Sequence, residues 1–198
     1  MFFSVGMVCI DVPVCICLGS THTSFKNLVK NLTIMYPDAN VWLVGHSLGG
    51  ALASLLGTTF GFPAVAFESP GERLAAQRLH LPMPPLSNIS GLPITPVTHV
   101  YHTADPIPQG ACTGFRSPCA SAGYALETRC HLGRSIIYDT VGTLGWRVSL
   151  KKHPIKKLIL DVLETDQQWE EGQNVPLAVE ESDCIVRQPR NVLKSSAN

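Results

Sequence analysis

The stretch that decides the fold is Val41-Trp42-Leu43-Val44-Gly45-His46-Ser47-Leu48-Gly49-Gly50-Ala51-Leu52-Ala53. Its first four residues are apolar and β-prone, and residues 48–57 are the small and apolar residues of a helix that packs on a sheet. The Gly-x-Ser-x-Gly between them is typical of a nucleophile elbow, a turn so tight that the serine hydroxyl projects above the sheet. The stretch therefore predicts that Ser47 is a nucleophile. The alternative is a glycine-rich turn without chemistry.

The segments around the elbow predict helices and short strands in alternation, as in an α/β fold with a mostly parallel sheet. We expect one α/β-hydrolase-like domain over residues 1–166, incomplete at its N-terminus, and a polar, loosely ordered tail over 167–198. The predicted helices cover 23–36, 48–57 and 155–164. Strands are predicted in the first part of 1–19 and at 41–44, 64–67, 97–101, 136–138 and 146–150.

The composition is that of a globular protein with a sizeable core, since the 198 residues are 45% hydrophobic and 15% charged. Fifteen basic and fifteen acidic side chains give a formal net charge of zero. This balance argues against nucleic acid as a partner, and a lipid partner would be met through apolar surface. Residues 1–19 are apolar, but they lack a positive n-region and carry Asp11, so they match neither a signal peptide nor a membrane span.

Seven cysteines and two Asn-x-Ser/Thr sequons favour a compartment of the secretory pathway. The glycosylation candidates are Asn31 and Asn88. Because the number of cysteines is odd, at least one is free or pairs outside this chain. The alternative to disulfides, a zinc site that includes His131, lacks the tight Cys-x-x-Cys spacing of structural sites. The disulfide candidates are Cys15, Cys17, Cys112, Cys119 and Cys130.

A serine nucleophile needs a histidine base, which a carboxylate holds in one tautomer. In hydrolases with this elbow the three residues follow in the order serine, acid, histidine. That order leaves His153 and His131 as bases, and His153 is favoured because it follows the last predicted strand at a loop-to-helix junction. Asp105 is the favoured acid because it ends a strand, where α/β sheets place working residues, and Glu68 is second. The alternative for Asp105 is an Asp-Pro turn.

The predicted oxyanion hole has one donor in the backbone N–H of Leu48, the residue after the nucleophile. A second donor should come from a loop after an earlier strand. Ser20-Thr21 is a conceivable substitute for it.

Six motifs in one order resemble the class 3 lipases, and among them the autophagy-related vacuolar lipases of fungi. The resemblance extends over about residues 14–161 and implies that Ser47, Asp105 and His153 are nucleophile, acid and base. It further implies hydrolysis of ester bonds in triacylglycerols and membrane phospholipids at membrane surfaces, in lipid catabolism and in the lysis of autophagic bodies and intravacuolar vesicles. The family needs no metal or organic cofactor, and it acts in the endomembrane system, in the vacuolar lumen or at multivesicular-body membranes. The motifs are Gly45-His46-Ser47-Leu48-Gly49-Gly50, Phe67-Glu68-Ser69-Pro70-Gly71-Glu72, His102-Thr103-Ala104-Asp105-Pro106-Ile107, Gly123-Tyr124-Ala125-Leu126-Glu127-Thr128, Tyr138-Asp139-Thr140-Val141 and Gly145-Trp146-Arg147-Val148.

The chain departs from the family pattern at its start, where the membrane anchor and the strands with the usual Gly-Thr oxyanion segment are missing. The resemblance therefore predicts an N-terminally truncated member. Ile136 stands where the family has a cysteine, which leaves one of Cys112, Cys119 and Cys130 without its expected partner. The alternative function is a catalytically impaired remnant that keeps the fold and binds lipid or a protein partner. A serine peptidase or acyltransferase on the same scaffold is a third hypothesis.

Overall fold

The computed structural model describes residues 6–10, 14–18, 22–81, 96–110, 130–170 and 172–181; for 6–10, 14–18, 22–26 and 28 it describes the backbone alone. Six strands form one sheet. The strands are β1 Gly6–Ile10, β2 Val14–Leu18, β3 Val41–His46, β4 Ala64–Phe67, β5 Val97–His102 and β6 Arg134–Tyr138. The helices are α1 His22–Met35, α2 Leu48–Phe60, α3 Arg73–Arg78, α4 Thr140–Leu144 and α5 Ile155–Leu158, which continues as a π-helical turn over Ile159–Leu163.

The strand order across the sheet is β2-β1-β3-β4-β5-β6. Strands β3 to β6 are parallel to one another, whereas β1 pairs antiparallel with both β2 and β3. This topology confirms the predicted α/β-hydrolase-like fold. Because the carboxyl ends of parallel strands meet at one edge, the residues that follow β3, β4 and β5 are brought together there.

Helices cover both faces of the sheet. Ala64 of β4 packs in one hydrophobic cluster and its neighbour Val65 packs in another, so the two clusters lie on opposite faces. The first cluster joins α1 and α2 to the sheet, and the second joins the sheet to α5. The buried members of the first are Val29, Leu32, Val41, Leu43, Ala53, Leu56, Ala64 and Val97, and those of the second are Val100, Tyr138, Leu158 and Val162.

The strand predicted at 146–150 is wrong. The segment joins no sheet; its Ser149 N–H donates at 3.0 Å to the carbonyl of Ala104, two residues after the end of β5. Its alternating pattern does not reflect a buried face, since Val148 is 55% exposed and only Trp146 packs against the core. The segment ends in a 3₁₀ turn, Leu150–Lys152, whose Lys152 ammonium lies 3.3 Å from the centre of the Trp146 ring.

Part of the segment assigned to the polar tail lies against the sheet. The backbone of Val179 pairs with Ser135 of β6 through two hydrogen bonds of 2.8 and 2.9 Å. Two residues later Glu181 reaches the interior beside β5 and β6, as described below. Among the helices that the structure describes, none is long and apolar enough to span a membrane.

Candidate active site

The elbow predicted from the sequence lies between β3 and α2. Ser47 has a φ of 57°, in the left-handed region that a residue with a Cβ rarely adopts, and such strain concentrates at functional sites. Its N–H donates to the carbonyl of Phe67 at the end of β4 (2.9 Å). A Cβ on Gly45 would lie 2.6 Å from the backbone nitrogen of Gly50, and closer still to the carbonyl of Gly49. Glycine at position 45 thus lets α2 begin directly above the strand.

The three residues that chain order selects are brought together at the carboxyl edge of the sheet. The Nε2 atom of His153 lies 2.8 Å from the Oγ of Ser47, and its Nδ1 lies 2.6 Å from the Oδ2 of Asp105. Asp105 is fully buried and His153 is 8% exposed. Since a carboxylate can only accept, Nδ1 carries the proton, and Nε2 faces the serine hydroxyl as an acceptor.

Asp105 is held as the ionised partner in this chain of hydrogen bonds. Burial by itself would raise the pKa of Asp105, but hydrogen bonds from His153, from Glu68 and from the Ile107 N–H bring it below its ordinary value. The Ile107 N–H donates to Oδ1 at 3.0 Å, so both oxygens of the carboxylate have a donor. Asp105 therefore forms the Asp-Pro turn considered as the alternative and also orients His153, so the two interpretations do not exclude each other.

Two further histidines hold the loop that carries His153. His102 bonds through Nε2 to the Lys152 carbonyl (3.2 Å), and His46 bonds through Nε2 to the carbonyl of His153 itself (2.9 Å). The Nδ1 of His102 accepts from the Ala104 N–H at 3.2 Å, which places the proton on Nε2. Burial is the largest effect on both rings and lowers the pKa of each.

Chain order excludes His46 and His102 as the base, and the sequence analysis assigned them no other role. Their position is what could have revealed them, because each is the last residue of a strand whose carboxyl end carries a predicted site residue. Consecutive carbonyls of one loop are thus held from two different strands. This restrains the His153 ring above Ser47.

Glu68, the second candidate acid, lies at the same edge but does not contact His153 in the way Asp105 does. It follows β4, has a φ of 46° and is fully buried. Its Oε1 accepts from the His102 N–H at 3.2 Å, and the Asp105 N–H donates to the carbonyl of the same His102 at 3.2 Å. The structure thus places both candidate acids in one site, with Asp105 facing the base.

His131, the alternative base, lies in a separate buried network. Its Nδ1 is 2.7 Å from Oε1 of Glu181, and its Nε2 is 3.0 Å from the Ser69 carbonyl. Glu72 lies beside it, 3.0 Å from Nε2 of His99, and accepts hydrogen bonds from the Ser54 hydroxyl and the Leu132 N–H. His131 is therefore committed to other partners. This network could not be predicted from the sequence, because its members are spread from Ser54 to Glu181.

The same network contains the best candidate for a metal site among the described residues. Potential ligand atoms of Glu72, His99 and His131 lie within 4.8 Å of one another. Both ring nitrogens of His131, however, are already bonded to Glu181 and to the Ser69 carbonyl. The geometry is thus that of a hydrogen-bonded network, which ties β5 and β6 to the chain around Glu181.

The zinc alternative built on cysteines loses a ligand, because Cys130 is disulfide-bonded. Cys112 and Cys119 lie outside the described residues, and only the backbone is described at Cys15 and Cys17. The pairing of the cysteines therefore stays a prediction. Glycosylation also stays a prediction: Asn31 is exposed on α1, and Asn88 lies outside the described residues.

The His131–Glu181 pair predicts a defined window of stability. Burial favours the neutral forms, but the two partners overcome it: hydrogen bonds from His131, Ser135 and Tyr101 lower the pKa of Glu181 to about 2, and Glu181 raises the pKa of His131. The lowered pKa stabilises the fold above about pH 4.5, and this contribution is lost as the pH falls towards 2. The raised pKa stabilises it below about pH 6.5, and that contribution is lost at higher pH.

We expect Glu181→Gln to lower the free energy of unfolding by about 3 kcal/mol at mildly acidic pH, where both contributions are complete. The difference from the unsubstituted chain should shrink as the pH falls towards 2. Denaturant unfolding at several pH values measures it. Glu180→Gln is the matched control, since Glu180 is exposed. If both variants lose the same free energy of unfolding, or if the loss in Glu181→Gln does not depend on pH, the stabilising role of the His131–Glu181 pair is contradicted.

The predicted oxyanion donor is placed suitably. Leu48 is the first residue of α2, where a backbone N–H has no helical acceptor. It adjoins Ser47 in the chain, and its side chain is 58% exposed. The suggested second donor, Ser20-Thr21, lies outside the described residues. The role of Leu48 in an oxyanion hole stays a prediction.

The parallel sheet, the elbow and the hydrogen-bond chain through Ser47, His153 and Asp105 define the class: an α/β-hydrolase-like protein with the side-chain arrangement of a serine hydrolase. Comparison with known proteins adds a similarity to one family, because the family model described as "Lipase (class 3)" matches residues 7–66. The chain is thus similar to the class 3 lipases, as its motifs predict.

Several fungal proteins named "Putative lipase ATG15" are similar to this chain. The one from Mycosarcoma maydis is 51% identical over 152 residues, which cover 76% of this chain and 29% of the relative. Those from Saccharomyces cerevisiae S288c and Candida glabrata are 52% and 49% identical, over 72% and 82% of this chain. The chain covers 27% and 31% of the length of these two relatives. It thus spans less than a third of each.

Proposed function

We propose that this chain is a serine esterase of the lipase type, which hydrolyses ester bonds of triacylglycerols and membrane phospholipids. The observation that carries the proposal is the continuous hydrogen-bond chain from the Ser47 hydroxyl through His153 to the buried carboxylate of Asp105. The similarity to class 3 lipases over the elbow supports a lipid ester as the substrate.

The geometry suits acyl transfer in two stages. Ser47 Oγ attacks the ester carbonyl while its proton passes to Nε2 of His153, and Asp105 stabilises the imidazolium that forms. The Leu48 N–H is the proposed donor to the oxyanion, and a donor of this kind contributes roughly 10²–10³-fold in rate. His153 then protonates the departing alcohol. A water molecule, deprotonated by His153, cleaves the acyl-enzyme and restores the serine.

Exposed apolar residues that neighbour Ser47 and His153 in the chain support a lipid substrate. Leu48 lies next to Ser47 and is largely exposed, and Val148 and Leu150 are exposed on the segment that leads to His153. Exposed apolar side chains near a polar catalytic centre favour a ligand with a long hydrocarbon part. Net charge zero is compatible with docking through apolar surface.

The biological setting follows from the resemblance and is proposed with it. We propose that the chain acts in lipid catabolism and in the lysis of autophagic bodies and intravacuolar vesicles. Its place is then the endomembrane system, in the vacuolar lumen or at multivesicular-body membranes. The name shared by the fungal relatives and the cysteines and sequons of this chain support that setting.

A substrate panel tests the proposal. We expect the purified chain to release fatty acid from triacylglycerol emulsions and from phospholipid vesicles, and Ser47→Ala to reduce that release to the background rate. Peptide and amide substrates should be left intact. Hydrolysis of peptides alone would contradict the proposed lipase activity and would indicate a serine peptidase. Binding to vesicles without any fatty acid release would favour a catalytically impaired, lipid-binding remnant.

A further inference from the structure

A second buried carboxyl group lies next to the proposed catalytic one. Glu68 directly follows β4, and Asp105 lies three residues after β5. Both contact His102, whose N–H donates to Glu68 and whose carbonyl accepts from the Asp105 N–H. Glu68 is fully buried, and its φ of 46° makes it, like Ser47, a strained residue at the end of a strand. Strain of this kind costs of order 1–3 kcal/mol and persists only where the surroundings enforce it.

The hydrogen bonds around the two carboxyl groups can be counted. Both oxygens of Asp105 have donors, His153 Nδ1 at 2.6 Å and the Ile107 N–H at 3.0 Å. Oε1 of Glu68 accepts from the His102 N–H, whereas Oε2 is buried and finds no donor among the described residues. Two ionised carboxylates are acceptors only, so a hydrogen bond between Glu68 and Asp105 requires a proton.

That proton belongs to Glu68, because Asp105 is the group that His153 stabilises as an anion. The titratable groups close to Glu68 are Asp105, His102 and Tyr101. None of them offers it a positive charge, since a tyrosine carries none, burial lowers the pKa of His102, and the His102 Nδ1 is an acceptor. An ionised Glu68 would add a second buried negative charge with no cation to compensate it, which is strongly unfavourable.

We propose that Glu68 is a positioning residue of this site: it stays protonated at neutral pH and donates a hydrogen bond from its carboxyl group to Asp105, which keeps that carboxylate directed at His153. The role rests on the proposed esterase function, whereas the protonation of Glu68 does not. Burial in the first place, and then Asp105, raises the pKa of Glu68 well above its ordinary value, in agreement with the geometry.

Glu72 provides a matched control on the same loop. It is as deeply buried as Glu68, but it faces His99 and His131 rather than another acid. Burial would raise the pKa of Glu72, yet these two histidines bring it below the ordinary value. The same loop therefore carries two buried glutamates: Glu68, which we expect to be neutral, and Glu72, which we expect to be charged.

Infrared spectroscopy tests the protonation without any turnover. At neutral pH we expect the carbonyl stretch of a protonated carboxylic acid in the unsubstituted chain and in Glu72→Gln. The band should be lost in Glu68→Gln. If the band is absent from the unsubstituted chain, or persists in Glu68→Gln, the proposal is overturned. Because no substrate is needed, a chain that hydrolysed nothing would contradict the esterase function and still give this result.

The pH profile of kcat/KM for ester hydrolysis tests the positioning role. Glutamine mimics a protonated glutamate, so Glu68→Gln should keep kcat within a few-fold and leave the acid limb of the profile in place. If Glu68 were ionised, its replacement by glutamine would remove a negative charge near His153 and move that limb to lower pH. Such a move overturns the proposal.

Glu68→Leu removes the donor altogether. We expect kcat to fall roughly 10–100-fold with little change in KM, because a misdirected Asp105 weakens the base and not substrate binding. Circular dichroism melting shows whether the leucine variant is folded. If the leucine variant is unfolded, Glu68→Gln is tested in its place: a folded glutamine variant with a nearly normal rate supports the positioning role, and a folded one with a strongly reduced rate contradicts it. Full activity in a folded Glu68→Leu contradicts the positioning role.

Discussion

Replacement of Ser47 by alanine is expected to abolish labelling by a fluorophosphonate probe and to lower kcat/KM for ester hydrolysis by roughly 10⁴–10⁶-fold. The hydroxyl that His153 deprotonates is the only group that the substitution removes, and alanine is smaller than serine. The loss should therefore occur without a loss of folding. Labelling followed by gel fluorescence, together with initial rates on a soluble ester, measures both effects.

Ser69→Ala serves as the control for this experiment. Ser69 is a buried serine at the same edge of the sheet, but its hydroxyl bonds to Nδ1 of His99 at 3.0 Å and not to the proposed base. A folded Ser69→Ala chain should still be labelled. Labelling that persists in Ser47→Ala would show that another residue is the nucleophile, and would remove the basis of the proposed mechanism.

The substitution Asp105→Asn is expected to lower kcat by about 10⁴-fold while leaving the shape of the site intact. An asparagine amide can donate to Nδ1 of His153, which then becomes an acceptor. The ring proton moves to Nε2, and Nε2 can no longer accept the proton of Ser47. The His153 ring would keep its position but would hold its proton on the wrong nitrogen.

The rate of Asp105→Asn should be compared with that of Asp139→Asn. Asp139 also lies between the serine and the histidine in the chain, but it is exposed and caps α4 by accepting from the Gly142 N–H at 2.9 Å. We expect near-normal turnover in Asp139→Asn. Turnover of Asp105→Asn within tenfold of the unsubstituted chain would exclude Asp105 as the orienting acid.

Much of the fold could be predicted because its causes are local. The strand β4 was predicted with its exact bounds, and α2 and β3 begin at the predicted residues, since short apolar runs and glycine turns act within a few positions of the chain. The residue order of hydrolases with this elbow, together with the rule that parallel strands end at one edge, then favoured Asp105 and His153 as the partners of Ser47. The three chosen residues do meet there.

The rest depended on contacts between distant parts of the chain. His46 and His153 are 107 positions apart, and His131 and Glu181 are 50 apart, so no local pattern indicates that they meet. The strand predicted at 146–150 failed for a related reason. An alternating pattern shows which residues could share a face, but only the neighbouring elements decide whether that face is buried.

The sequence by itself determined the α/β fold, the elbow with Ser47, and the two acids and two histidines among which the partners of the serine must be found. Only the tertiary structure decided between them. The parallel strands β4 and β5 end at one edge, where Glu68 and Asp105 both contact His102, and the loop held by His46 and His102 turns His153 towards Asp105 alone. Two buried carboxyl groups in contact hold a proton between them, because low polarity makes two adjacent negative charges too costly. This electrostatic coupling between neighbouring strands could not be inferred from either residue alone.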